Sequence, residues 1–135
     1  MRYLLDTNTW IHYLKRAGSR VETHLRQTPA SEVAVCSIVW AEILHGARKY
    51  EKRDERVVRV KRTLGPFASL PFDDTAAPQY AAIRDSLERR GEIIGPNDLF
   101  IAAIALTHGL TVVSNNREFG RVDGLSVEDW TTETE

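Results

Sequence analysis

Short apolar runs alternate with amphipathic stretches along this chain, the pattern of a parallel α/β sheet. "RYLL", "EVAVCS", "SLPF" and "LTVVS" read as strands, with "LSVEDW" as a further edge element. Between the first two, "TNTWIHYLKR" and "VETHLRQ" read as helices, the second ending at Pro29. "SIVWAEILHGARKY" sets Ile38, Ala41, Leu44 and Ala47 near one face, which predicts a helix with Ser37 at its N-cap. The following basic run continues as another helix and closes before "GPF". In "DDTAAPQYAAIRDSLERRG", Asp73 or Asp74 is placed to cap a helix and Gly91 to end it. "LFIAAIALTHG" is apolar nearly all round its circumference, so it is expected to lie buried against the sheet. "NNREFGRVDG" reads as a loop with a turn at Asp123 and Gly124. The expected class is α/β, with a central, mostly parallel sheet of four to five strands.

Composition narrows this picture. A chain of 135 residues, 42% hydrophobic and 27% charged, has the size for one core, so a single domain over 1–135 is expected. It contains no apolar run of membrane-spanning length, which points to a cytoplasmic protein that does not engage a membrane. The single cysteine, Cys36, excludes an intrachain disulfide and sits in a β-like run, where a buried, inert thiol is expected. The net charge of -1 does not announce a nucleic-acid binder, but its distribution is uneven. Residues 48–62 carry eight Lys and Arg against three acids, leaving the rest of the chain at about -6.

The candidate chemistry lies in carboxylates at element ends. Ligands of open parallel sheets bind outside the carboxyl ends of the strands, and Asp6 stands at such an end. Asp6 or Thr7 is equally readable as the cap of the next helix. Glu42 lies inside a helix, flanked by Ala41, Ile43 and Leu44, an unusual setting for a solvated glutamate. Asp98 opens the most apolar helix, where an acid also complements the helix dipole, and Asn97 or Asp98 can itself cap. Asn115 and Asn116 follow the fourth strand and suit a turn. Each bland reading stands alone; together, Asp6, Asp98 and the "SNN" cluster at residues 114–116 fall on one sheet edge, with Glu42 within reach. Carboxylates without histidine or cysteine select hard cations, hence Mg²⁺ or Mn²⁺ over zinc. His12, His24, His45 and His108 are scattered without metal-ligand spacing.

Three blocks in order, "LLDTNTWIHYL", "SIVWAEILHGA" and "GPNDLFIAAIALTHGLTVVSNNREFGRVDGLSVEDW", resemble the VapC-type toxins, which are PIN-domain ribonucleases. The resemblance runs from Leu4 to Trp130. It implies a PIN-like α/β/α sandwich in which Asp6, Glu42 and Asp98 form an acidic pocket for Mg²⁺ or Mn²⁺, with Asp6 and Asp98 the principal ligands. It also implies a homodimer inhibited by a cognate VapB-type antitoxin and acting on an RNA of translation, such as a tRNA or ribosomal RNA. One departure concerns Asn116, where many PIN domains carry a fourth acid. An asparagine there offers its carbonyl oxygen to the ion or to a bound water, but no charge.

The mechanism so implied is metal-assisted hydrolysis of an RNA phosphodiester, with Asp6, Glu42, Asp98 and Asn116 as the catalytic set. The basic stretch then guides the RNA backbone, or is a solvated helix with Glu55 and Arg59 paired. Trp10, Trp40 and Trp130 stack on bases or anchor the core or a dimer interface. A haloacid-dehalogenase-like phosphatase is a poorer reading, since it needs an acid where Asn8 stands. A catalytically inactive PIN module acting as a regulatory binding partner is the alternative that Asn116 keeps open.

Overall fold

The computed structural model of this chain describes residues 1–132. Five short strands form one sheet, β1 (Tyr3–Leu5), β2 (Val33–Cys36), β3 (Ala68–Leu70), β4 (Thr111–Val113) and β5 (Val127–Glu128), in the order β3-β2-β1-β4-β5. Every neighbouring pair is parallel. Six helices connect them: α1 (Thr7–Lys15), α2 (Arg20–Gln27), α3 (Ser37–Arg48), α4 (Arg53–Leu64), α5 (Ala77–Arg89) and α6 (Pro96–His108). All residues of β1 and β2 are buried. Successive strand residues point to opposite faces, so the sheet centre is covered on both sides, as in an α/β/α sandwich.

The apolar pattern explains most of this, and its exceptions are informative. Helix α6 buries Leu99 and every residue from Ile101 to Ala105, which is why its sequence lacks a polar stripe. In α3 the buried stripe is Val39, Ile43 and Ala47, while Ala41 is exposed and Ile38 and Leu44 are half-buried. The face expected from the sequence is thus rotated, because α3 beds against α1, α4 and α6 at once. Its N-cap is Cys36, not Ser37; the Ser37 hydroxyl instead accepts a hydrogen bond from the Phe72 backbone N–H at 3.1 Å, tying α3 to the segment after β3. Asp73 holds the turn before α5 through Thr75 and Ala76 N–H groups, and the helix itself starts from Ala76. Gly91, at φ 68°, lets the chain leave α5. The expected loop after β4 contains a 3₁₀ helix, Arg117–Arg121.

The basic stretch divides into the end of α3 and all of α4, with Lys52 at φ 60° turning the chain between them. Arg59 does not pair with Glu55; its guanidinium donates to the Leu14 carbonyl at the end of α1. Trp10 and Trp130 are buried, packed against Phe67 and Tyr3 respectively, so neither presents a face for base stacking. Trp40 is half-buried. Among the described residues, no helix is long and apolar enough to cross a membrane.

Candidate active site

The strand order contains one reversal. From β1 the chain steps outwards to β2 and β3, then returns to place β4 on the other flank of β1. At such a switch point the connections leave in opposite directions from two adjacent carboxyl ends and open a crevice. Asp6 follows β1 and Ser114 follows β4, and they meet there, the Ser114 hydroxyl donating to Asp6 Oδ2 at 2.6 Å.

Asp6 is 2% exposed and fully engaged. Its Oδ1 accepts from the Thr9 backbone N–H at 2.9 Å and the Thr9 hydroxyl at 2.7 Å, so Asp6 itself, not Thr7, caps α1. Thr9 also donates to the Val113 carbonyl, coupling the cap to β4. Burial pushes the Asp6 carboxyl above its ordinary range and Glu42 adds to the shift, against the Ser114 and Thr9 hydrogen bonds. Thr7, freed from capping, donates to Glu42 Oε1 at 2.6 Å. That bond reaches from the first turn of α1 to the middle of α3 and fixes the glutamate towards the crevice.

Asp98 stands in the first turn of α6, after Pro96 at the N-terminal position. Half-buried, its carboxyl is raised to about 6, first by loss of solvent and then by the charges of Asp6 and Glu42. Asn116 opposes this by donating its side-chain N–H to Asp98 Oδ2 at 2.9 Å. The Asn116 carbonyl oxygen accepts from the Glu118 N–H at 3.0 Å and its backbone N–H donates to Ser114. The Asn116 carbonyl thus caps the 3₁₀ helix while its amide N–H restrains Asp98. Asn115 is exposed and takes no part in this network.

Three site residues had no role assigned from sequence, although Ser114 stood in the "SNN" cluster expected on this edge. Ser114 bridges the two central strands, and its only signal was its place at the end of β4, equivalent to that of Asp6 on β1. Glu118 adds negative potential at Asp98 and accepts from the Gly95 N–H at 3.0 Å. Gly95 leaves room beside the acid, for a Cβ there would lie 3.3 Å from Asp98 Oδ2. Cys36, just beneath, has its thiol pushed up to about 11 by burial and is inert packing.

The pocket thus gathers oxygen ligands, and the Asp6 and Asp98 carboxyls are raised by burial first and by neighbouring negative charge second. A divalent cation offsets such repulsion, and the donor set suits a hard one. Among the described residues, no three His, Cys, Asp or Glu side chains stand together at metal-binding spacing; Glu42 and Asp98 are held by Thr7 and Asn116 respectively.

A PIN-domain family model matches residues 3–125. Ribonuclease VapC2 of Haemophilus influenzae is 36% identical over 131 residues, 96% of this chain and 98% of that protein. A tRNA(fMet)-specific endonuclease VapC of Salmonella typhimurium is 34% identical with the same coverage. Among solved structures, the DNA-bound VapBC of Salmonella typhimurium has a chain that superposes with a TM-score of 0.91 at 34% identity, covering 96% of this chain and 98% of that one. A chain of Rickettsia felis VapBC2, bound to a promoter DNA fragment, superposes at 0.88 with 31% identity, covering 96% and 99%.

Proposed function

This chain belongs to the PIN-domain family, among the VapC ribonucleases, and on that premise we propose that it is a Mg²⁺- or Mn²⁺-dependent endoribonuclease toxin held inactive by a cognate VapB-type antitoxin. The observation that carries the metal-dependent part is the switch-point crevice. Asp6, Glu42 and Asp98 converge there from three elements, and their repulsion helps raise Asp98 to about 6. Asp6 and Asp98 would hold the ion, with Glu42 completing the shell or orienting the attacking water. When bound, the ion lowers the pKa of water towards neutrality and offsets charge on the phosphoryl oxygens.

The protein's own side chains do the positioning. Ser114 and Thr9 fix the Asp6 carboxylate, Thr7 fixes Glu42, and Asn116 orients Asp98. Such supporting bonds to ligand carboxylates pre-set their direction. A hydrolysis of this kind leaves a 5′-phosphate and needs no 2′-hydroxyl, so a substrate with 2′-deoxyribose at the cleavage site is still cut.

The Salmonella and Shigella relatives are named tRNA(fMet)-specific endonucleases, which makes initiator tRNA the first substrate to try. Purified protein should cleave it with Mg²⁺ or Mn²⁺ and stop with excess chelator. Asp6→Asn and Asp98→Asn should each lower the rate by at least about 100-fold with an unchanged circular dichroism spectrum. Full activity in either variant or in chelator overturns the assignment, and folded wild-type protein inert on total cellular RNA favours the inactive regulatory module.

A further inference from the structure

A second concave surface begins at the acidic crevice and runs away from it. The groove between α1, α3 and α4 has a volume of about 250 Å³, and Glu42 lines it at the crevice side. Leu14, Ile43 and Val60 contribute apolar lining, while Lys15, Lys49, Arg56 and Arg59 line it with positive charge. Among the described residues, none of these four cations is in an ion pair with a carboxylate. Two are instead held by neutral groups that leave their charge unspent. Arg59 donates to the Leu14 carbonyl, and Arg56 donates to the Glu51 carbonyl at 3.1 Å. The Arg56 guanidinium also lies 5.4 Å from the ring centroid of Tyr50, a large aromatic that is 64% exposed.

An exposed ring backed by arginine, apolar walls and four unneutralised cations form the combination that binds single-stranded nucleic acid. The ring offers a stacking face and the cations track the phosphates. The four cations match a run of phosphates in charge, and the ring beside them matches a base, so a nucleic-acid strand is the occupant that uses both. Glu42 in the middle of α3 and Tyr50, two residues beyond its end at Arg48, line the same groove, so this surface runs on from the crevice.

We propose that this groove is a positioning subsite for the RNA, in which an unpaired base flanking the cleaved phosphate stacks on Tyr50 while its phosphates lie against Lys15 and Lys49. The inference rests on the ribonuclease reading, and adds to it a reason why an acidic pocket in a chain of net charge -1 retains a polyanion.

The test uses full-length Tyr50→Ala, Tyr50→Phe and Lys15→Ala/Lys49→Ala proteins with initiator tRNA as probe. Binding is read in an Asp98→Asn background, and cleavage in the wild-type background. Tyr50→Ala should weaken binding by roughly 5- to 150-fold, the range for loss of one stacked base, whereas Tyr50→Phe should keep it. The double lysine variant should raise KM with kcat unchanged and reduce the slope of log affinity against log salt by about 0.7 for each phosphate no longer neutralised. Unchanged KM and salt slope in all three variants overturn the subsite. So does a loss of antitoxin inhibition with RNA cleavage intact, which would make the groove a protein-binding surface. Failure of the ribonuclease reading is distinguishable, because wild-type protein would then leave the tRNA uncut whatever stands in the groove.

Discussion

Asp98 is a carboxyl in surroundings that favour its neutral form, and this has a measurable sign. Its folded value of about 6 exceeds the ordinary 3.8, so between these two the folded protein holds a proton that the unfolded chain has released. Stability without divalent ions therefore falls as pH rises from about 4 to about 6. The raised Asp6 acts in the same direction. Thermal melts in chelator should show a higher midpoint at pH 5 than at pH 7, and Asp98→Asn should be more stable than wild type at pH 7 with a smaller rise on acidification. Identical pH profiles would contradict the burial argument. Ser114→Ala removes the 2.6 Å bond to Asp6 and should lower activity or metal affinity by about 10- to 100-fold, read as a shifted Mg²⁺ titration. At this scale the sequence was legible where residue type met an element end, as for Asp6 and Asp98, or an apolar flank, as for Glu42. A serine or glutamate in a turn carries no such mark. The roles of Ser114 and Glu118 became visible only when pairing brought β4 beside β1, as did the bond of Asn116 to Asp98.

Elements followed from period and punctuation wherever one requirement dominated. Helix α6 is buried all round its middle, from Ile101 to Ala105, and reads so in sequence; Ile104→Ala there should cost about 2–5 kcal/mol in a denaturant titration, the range for emptying a packed site. A cost below about 1 kcal/mol would mean that the helix is not held as tightly as its burial indicates. Helix α3 was less legible, because it packs against three helices while turning Glu42 to the crevice, so no single stripe describes it. The expected cap at Ser37 failed for a related reason. That hydroxyl serves a backbone N–H 35 residues away, a demand that local spacing does not reveal.

For the whole molecule, alternation of strands and helices gave the parallel sheet, but strand order depends on which strand finds which partner and was not read from the chain. The switch point between β1 and β4, and with it the reason for the site's location, came from the topology. One apolar surface has no role in the site. Ile93 is 77% exposed beside a groove lined by Tyr80, Leu87 and Leu99, where α5 meets α6. If the homodimer implied by the family resemblance uses this face, Ile93→Glu should give a monomer by sedimentation, and an unchanged dimer would place the interface elsewhere. The Asp6 to Ser114 bond spans 108 positions, and β1 lies at the centre of the sheet with β4 as one of its two neighbours. During synthesis the first strand emerges early, but its partner on the catalytic side is made only after β2, β3 and all six helices. A growing chain therefore carries Asp6 without its Ser114 partner until β4 has been made, and a product terminated before β4 lacks both that strand and the Asn116 bond to Asp98.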